Sequence, residues 1–299
     1  VVVTVRPYRG TDLDGDFVPV RDFLRRLHVG AERPPVFGWS RWEWAFAQPG
    51  LDRAALHRVG VWEREGRVVA VATFEDVPGD AYLAVDPGCA GLLPEVLDHA
   101  LAALRGPHGV RVLVDDADVE LQRLARSRGL VATQHGDEAT VLELEGGLAY
   151  PLPAGYRVQG LDQGVDLGRL ERLMHRGFGQ DGEPAATPEA LAWRERAVSS
   201  PSQDPSLSVL VVADDGTYAA YCGTWWHEGD HAAVVEPVCT DPDHRRRGLG
   251  RAAVLEAVRR CAARGAPRAQ VGSHQQFYYA LGFAPRVTAT WWTVLGGAG

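Results

Sequence analysis

Val238-Cys239-Thr240-Asp241-Pro242-Asp243-His244-Arg245-Arg246-Arg247-Gly248-Leu249-Gly250-Arg251-Ala252 carries more chemical information than any other stretch of this chain. Apolar and β-branched residues from Ala233 to Thr240 predict a strand that stops at Asp241-Pro242. The alanine-rich run that follows predicts a helix from Gly250 to Arg264. Between them lies a basic turn with two glycines, which let backbone approach a ligand and reach conformations closed to other residues. The first amides of a helix lack intrahelical acceptors and sit at its positive end. Strand, basic glycine turn and helix start together predict a site for a pyrophosphate-like anion. A solvated arginine-rich loop capping a helix is the alternative, and the flanking elements favour the anion site.

The same order of elements is legible twice. Strands are predicted at Val3 to Tyr8 and Tyr156 to Leu161, followed by amphipathic helices at Val18 to His28 and Leu167 to Arg176. In the second half a further helix starts at Thr187 as N-cap and Pro188. Hairpins turn at Glu65-Gly66 and Asp215-Gly216. Strands then run into Asp86-Pro87 and Asp241-Pro242, and long helices follow at Pro94 to Leu104 and Gly250 to Arg264. One more strand comes in each half, at Val110 to Val114 and Arg268 to Val271, then a short helix. A last strand, Thr140 to Leu144 or Thr288 to Leu295, is expected to close its own copy. The glycines and prolines of 146–155 read as a linker. The expectation is an α/β (α+β) protein of two tandem domains, residues 1–146 and 156–299, joined by 147–155. Each would be a mixed, mostly antiparallel sheet flanked by helices.

Composition narrows the function. The 299 residues carry a net charge of -8, which disfavours general nucleic-acid binding. All 31 basic residues are arginine, so chemistry on a lysine Schiff base is excluded. Cys89, Cys222, Cys239 and Cys261 form no C-x-x-C pair and no zinc-like spacing, so buried reduced thiols in a cytoplasmic protein are expected, with no metal. Val1 to Val5 lacks the basic start of a signal peptide, and no apolar run reaches the length of a membrane span, so no membrane partner is expected.

Arg245-x-x-Gly248-x-Gly250 resembles the acyl-CoA signature of the GNAT superfamily of N-acetyltransferases, and Phe277-Tyr278-Tyr279-Ala280-Leu281-Gly282-Phe283 resembles its second hallmark. The resemblance runs from about Pro153 to Leu295, and the whole chain looks like a bacterial tandem-GNAT protein. It implies that amides of Arg245, Arg246, Arg247, Gly248, Leu249, Gly250 and Arg251 hold the CoA pyrophosphate. Backbone around Val238, Cys239 and Thr240 would lie along the pantetheine arm. Tyr278 would protonate the departing thiolate, as a phenol still protonated at neutral pH can. Tyr279 would point elsewhere. Glu236 would stand near the acceptor amine, with His227 and Glu228 as weaker candidates. Trp225 and Trp226 would wall the acceptor pocket or belong to the core. Cys239 reads as packing, not as a nucleophile.

The sequence departs from the family in two places. Val271-Gly272-Ser273-His274-Gln275-Gln276 lacks the asparagine that many members carry there. In the first half, Gly88-Cys89-Ala90-Gly91-Leu92-Leu93 has no arginine and Ala125 stands where Tyr278 would, so that copy is expected not to bind CoA. Its aromatic run from Phe37 to Trp44 reads as the core of a docking helix or as the lining of a shared acceptor cleft. The expected activity is transfer of an acetyl or other short acyl group from acetyl-CoA (acyl-CoA) to a small-molecule primary amine. The alternative is a non-catalytic acyl-CoA-binding or regulatory module.

Overall fold

The computed structural model describes residues 2–29, 31, 33–146, 148–184 and 186–294. In chain order the elements are β1 (Val3–Pro7), α1 (Phe17–His28), α2 (Trp39–Ala47), β2 (Gly60–Arg64), β3 (Arg67–Thr73), β4 (Asp80–Val85), α3 (Leu93–Ala103), β5 (Arg111–Asp115), α4 (Val119–Ser127) and β6 (Leu130–Glu143). There follow β7 (Tyr156–Gly160), α5 (Leu167–Gly177), α6 (Pro188–Val198), β8 (Val209–Ala213), β9 (Tyr218–Trp225), β10 (Ala233–Thr240), α7 (Leu249–Ala263), β11 (Arg268–Val271), α8 (Gln276–Tyr279) and β12 (Ala284–Val294). The predicted local signals act as expected. Thr187 caps α6 by accepting from the Ala190 amide, and Glu65 and Gly66 turn the first hairpin with φ of 54° and 75°.

The chain forms two compact units, and they are not the two sequence halves. Unit 1 is 1–139 with 285–299, and unit 2 is 140–284. The cause is an exchange of last strands. β12 pairs antiparallel with β5, Trp291 opposite Leu113, so the end of the chain completes unit 1. The end of β6 pairs antiparallel with β11, Thr140 opposite Val271, so the last strand of the first half completes unit 2. The expectation that each strand closes its own copy is corrected accordingly. Both strands offer a buried face to whichever neighbour has an open edge, and alternation alone does not name that neighbour. The predicted linker is also corrected: Leu148, Tyr150 and Leu152 pack on the core of unit 2, and Tyr150 donates to Glu256 at 2.9 Å. Gly147 and Leu295 lie outside the described residues.

In unit 1 the strand order is β1-β2-β3-β4-β5-β12-β6, all antiparallel around the parallel pair β4/β5 in the pairings resolved. The aromatic run of α2 is core: Trp39 and Trp42 are buried, and Phe46 packs edge-on to Phe17 of α1 at 5.0 Å. In unit 2 the order is β6-β11-β10-β9-β8-β7, with β10/β11 the parallel pair. Alternate residues of β8 supply two cores, as the two-residue repeat of a strand requires. Val209 and Val211 face the cluster built with α7, whereas Leu210 and Val212 face the one built with Leu170, Leu173 and Met174 of α5. Small side chains let α7 lie close on the sheet, and Ala252 through Val258 are buried without a break.

Candidate active site

The site begins where β10 leaves β11. The two strands pair only at Ala233 and Val234, whereas β10 stays paired with β9 to Thr240 through a bulge between Val235 and Val238. Beyond Val234 the β11-side edge of β10 therefore has no strand partner among the described residues. Val238 and Thr240 are half-buried there, and Glu236 is exposed at the bulge.

At the end of β10 the Asp241 carboxylate caps a 3-10 turn, Pro242–His244, by accepting from the Asp243 amide at 2.9 Å. Arg176 of α5 donates to Asp241 at 2.8 Å and to Asp243 at 2.6 Å. Burial alone would raise the Asp241 pKa, and these bonds outweigh it and hold the carboxyl below its ordinary value. Arg245 donates to the Thr240 and Gly177 carbonyls at 3.2 and 2.9 Å. Arg247 donates to the Tyr156 hydroxyl at 2.9 Å, which is itself paired with His244, and Arg251 donates to the Ala280 carbonyl at 3.2 Å. These three side chains tie the loop to the elements around it. Arg246 makes no hydrogen bond or ion pair among the described residues and is exposed.

The loop backbone leaves its amides open. Arg246 and Gly248 adopt left-handed conformations, φ 62° and 80°, the first at a cost of about 1 kcal/mol for a residue with a Cβ. The first helical bond of α7 runs from the Ala252 amide to the Gly248 carbonyl. Among the described residues none of the amides from Arg246 to Arg251 has a backbone acceptor. A Cβ on Gly248 would meet nothing within 4 Å, so the space above the loop is free. On Gly250 it would stand 2.9 Å from Thr240 Oγ1 and 3.5 Å from Phe277, so the helix start is tight against the end of β10 and α8. These features fit a pyrophosphate.

Tyr278 sits on α8, 7% exposed, with edge-on contacts to Phe277 at 5.0 Å and Phe283 at 5.7 Å. Burial, then the neighbouring Cys222 and Glu236, push its pKa above the ordinary phenol value, so it stays protonated through neutral pH. Glu236 and Tyr278 thus lie within electrostatic reach of each other beside the open edge of β10. In the segment that lacks the family asparagine, the Ser273 hydroxyl accepts from the Gln275 amide and the Ser273 carbonyl accepts from Thr140. His227 pairs with the Glu228 carbonyl at 2.9 Å, and Glu228 is exposed.

Two aromatic and thiol readings are settled by burial. Trp225 is 1% exposed and belongs to the core, which corrects its assignment to a pocket wall; Trp226 is half-buried. Cys239 packs against Met174, and burial pushes its thiol up to about 12, so it is no nucleophile at neutral pH.

The model of the acetyltransferase (GNAT) family matches residues 169–283. The second half of this chain is thus similar to the GNAT acetyltransferases. A tandem GNAT protein from the clavulanic acid biosynthesis pathway shares its fold with the whole chain, at 17% identity, full coverage of both chains and a TM-score of 0.65. A GCN5-related N-acetyltransferase from Sphaerobacter thermophilus matches at 18% identity over 99% of this chain and 97% of that one, TM-score 0.57. A GNAT-family acetyltransferase from Colwellia psychrerythraea matches at 11% identity over 98% and 100%, TM-score 0.58. At these identities the likeness is one of fold, and it makes the chain a tandem-GNAT fold throughout. No curated protein matches the sequence. Among the described residues, no cluster of three or more His, Cys, Asp or Glu is arranged to hold a metal, and no helix is long and apolar enough to cross a membrane.

Proposed function

We propose that the second copy transfers an acetyl or other short acyl group from acyl-CoA to a small-molecule primary amine by direct attack. The observation that carries this reading is the run of unpaired amides from Arg246 to Arg251, set by two left-handed residues at the start of α7. Acyl-CoA supplies the activated thioester when bound. The free amides and the α7 dipole hold its pyrophosphate, and the open edge of β10 from Val238 through Cys239 to Thr240 accepts its amide-bearing arm as an added strand. Glu236, acting directly or through water, takes the proton the amine must lose before its nitrogen attacks the carbonyl carbon. As the new C–N bond forms and the C–S bond breaks, the Tyr278 hydroxyl gives its proton to sulfur, and the extra proton left on the newly bonded nitrogen is then released and restores the phenol. The buried phenol is the only form present at neutral pH, so the acid is always loaded. Positioning of the two reactants supplies most of the acceleration. Trp226 is the remaining aromatic candidate for the acceptor wall.

Calorimetry with CoA and thiol release from acetyl-CoA across a panel of aminoglycosides, polyamines and amino acids test the reading together. One CoA site per chain and turnover with at least one amine are expected. Two equivalent sites would refute a silent first copy. Binding with no turnover on any amine would favour a non-catalytic acyl-CoA-binding module.

A further inference from the structure

Unit 1 contains a cavity of about 650 Å³ that the acyl-transfer reading does not use. That volume lies within the range of small-molecule sites, roughly 300 to 1,000 Å³. Every residue lining it belongs to unit 1. Its floor is a built network, not a loose acidic patch. Arg41 donates through Nε to Glu75 at 2.7 Å, through Nη1 to Asp137 at 3.2 Å and through Nη2 to the Tyr82 hydroxyl at 2.9 Å. Tyr82 in turn donates to Glu75 at 3.3 Å. Elsewhere in the lining Arg111 makes a two-bond fork to Asp80 at 2.6 and 2.7 Å and lies over the Trp291 ring at 4.3 Å.

The charge balance decides what such a cavity accepts. Four carboxylates, Glu75, Asp76, Asp80 and Asp137, line it against two guanidinium groups, and both guanidinium groups are already paired. An anionic ligand would find its cationic partners taken. Asp76 has no side-chain partner among the described residues, and Glu75 and Asp137 each keep acceptor capacity beyond Arg41. Burial pushes the Glu75 pKa up against the pull of Arg41, so this carboxylate is short of solvation that a cation would supply. The register of the two hairpins adds a sequence argument. Val71 faces Ala84 as Tyr221 faces Cys239, so Glu75 and Asp76 occupy the positions that Trp225 and Trp226 hold in the second copy. A buried Trp225 and a half-buried Trp226 in one copy correspond to a half-buried Glu75 and an exposed Asp76 at the cavity of the other.

We propose that this cavity is a binding site for a small organic ammonium ligand, held by Asp76, Glu75 and Asp137 on the framework of Arg41 and Tyr82. The site is separate from the acyl-CoA loop and does not depend on turnover there. The test is calorimetry on the full chain with 1,4-diaminobutane, butane-1,4-diol and succinate as probes. The diamine is expected to bind one cavity site with an affinity that falls as salt rises, and the diol and succinate are not. Asp76→Asn and Asp137→Asn should each weaken the diamine roughly tenfold, the scale of one charge-assisted hydrogen bond. Glu120→Gln, an exposed carboxylate outside the cavity, and Glu236→Gln in the second copy should leave this binding unchanged. The proposal is overturned if the diamine gives no heat, if succinate binds more tightly, or if Glu236→Gln removes the binding while Asp76→Asn and Asp137→Asn do not.

Discussion

The loop after β4 and the loop after β10 start alike and end differently. Asp86 accepts from the Gly88 amide at 2.8 Å and Asp241 from the Asp243 amide at 2.9 Å; each is followed by proline and a 3-10 turn. In unit 1 the turn, Pro87–Leu92, kinks at Cys89 and abuts α3, and the Leu93 amide is satisfied by the Ala90 carbonyl. No residue from Asp86 to Leu93 has positive φ. The slot between the ends of β4 and β5, about 380 Å³, is rimmed by Asp86, Asp115, Asp118 and Glu120. In unit 2 two left-handed residues lift the chain away from the helix axis before α7 begins, and six consecutive amides are left for a ligand. The difference teaches that two left-handed residues before the helix leave amides without backbone acceptors, which the turn in unit 1, with no positive φ, does not do in the same way. On the proposed function, that is what separates an anion-holding loop from a silent one.

The strongest way to break this comparison is to separate the units. A fragment of 140–284 keeps the β6 segment that pairs with β11 and should fold and bind CoA. A fragment of 151–299 loses that segment and carries β12, with the buried Trp291 and Trp292, away from β5. It should aggregate or fail to give a cooperative melt. Equal folding and CoA affinity of the two fragments would refute the exchange of strands.

Tyr278→Phe keeps the ring in its place between Phe277 and Phe283, so CoA affinity should hold. Turnover should fall roughly a hundredfold or more, the range of general acid catalysis, and in kcat rather than KM. A matching loss of CoA affinity would make Tyr278 a packing residue. Ala125 is already the apolar counterpart in unit 1, buried on α4.

Paired substitutions in the loops sharpen the contrast. Gly248→Val forces a β-branched residue to φ 80° and fills the open space above the amides, so CoA binding should weaken at least tenfold. Gly91→Val, at a loop glycine of ordinary φ with nothing within 4 Å, should leave CoA binding untouched. A measurable effect of Gly91→Val on CoA titrations would revive the first copy as a binding site.

The smallest effect concerns acid stability. Glu256 on α7 is buried, which would raise its pKa, yet bonds from Arg259, Arg260 and Tyr150 outweigh burial and hold it at about 2. A depressed carboxyl contributes stability above its unfolded pKa and loses it as pH falls through the folded value. Unit 2 should therefore shed this contribution between about pH 4.5 and pH 2. Glu256→Gln should lower stability at pH 7 by roughly 2 kcal/mol and flatten the acid limb. Denaturant melts at pH 7 and pH 3 that show the same loss in the variant would remove Glu256 from the account.

Local signals were legible wherever the chain's own neighbours decide the conformation. Thr187-Pro188 capped a helix, Glu65-Gly66 and Asp215-Gly216 turned hairpins, and Arg245-x-x-Gly248-x-Gly250 opened a helix start, because each needs only residues a few positions apart. The reach of β6 was not legible. Residues 130–139 mix Thr, Gln, His, Gly, Asp and Glu without alternation, and they become strand only because neighbours supply a ladder. The acidic pair Glu75-Asp76 passed unnoticed for a similar reason: it has no motif, and its setting beside Arg41, 34 positions away, exists only once the chain is folded.

The sequence by itself determined the succession of elements, the repeat and the glycine-bearing helix start at Gly248, since these depend on short-range backbone preference and side-chain chemistry. Tertiary structure alone decided which strand completes which unit, that Trp225 is sealed in a core while Glu236 reaches solvent, and that Arg245, Arg247 and Arg251 tie the loop to Gly177, Tyr156 and Ala280. Those outcomes depend on which edges and faces are left open after everything else has packed. Alternation specifies that a face must be covered, and only the assembled fold specifies by what.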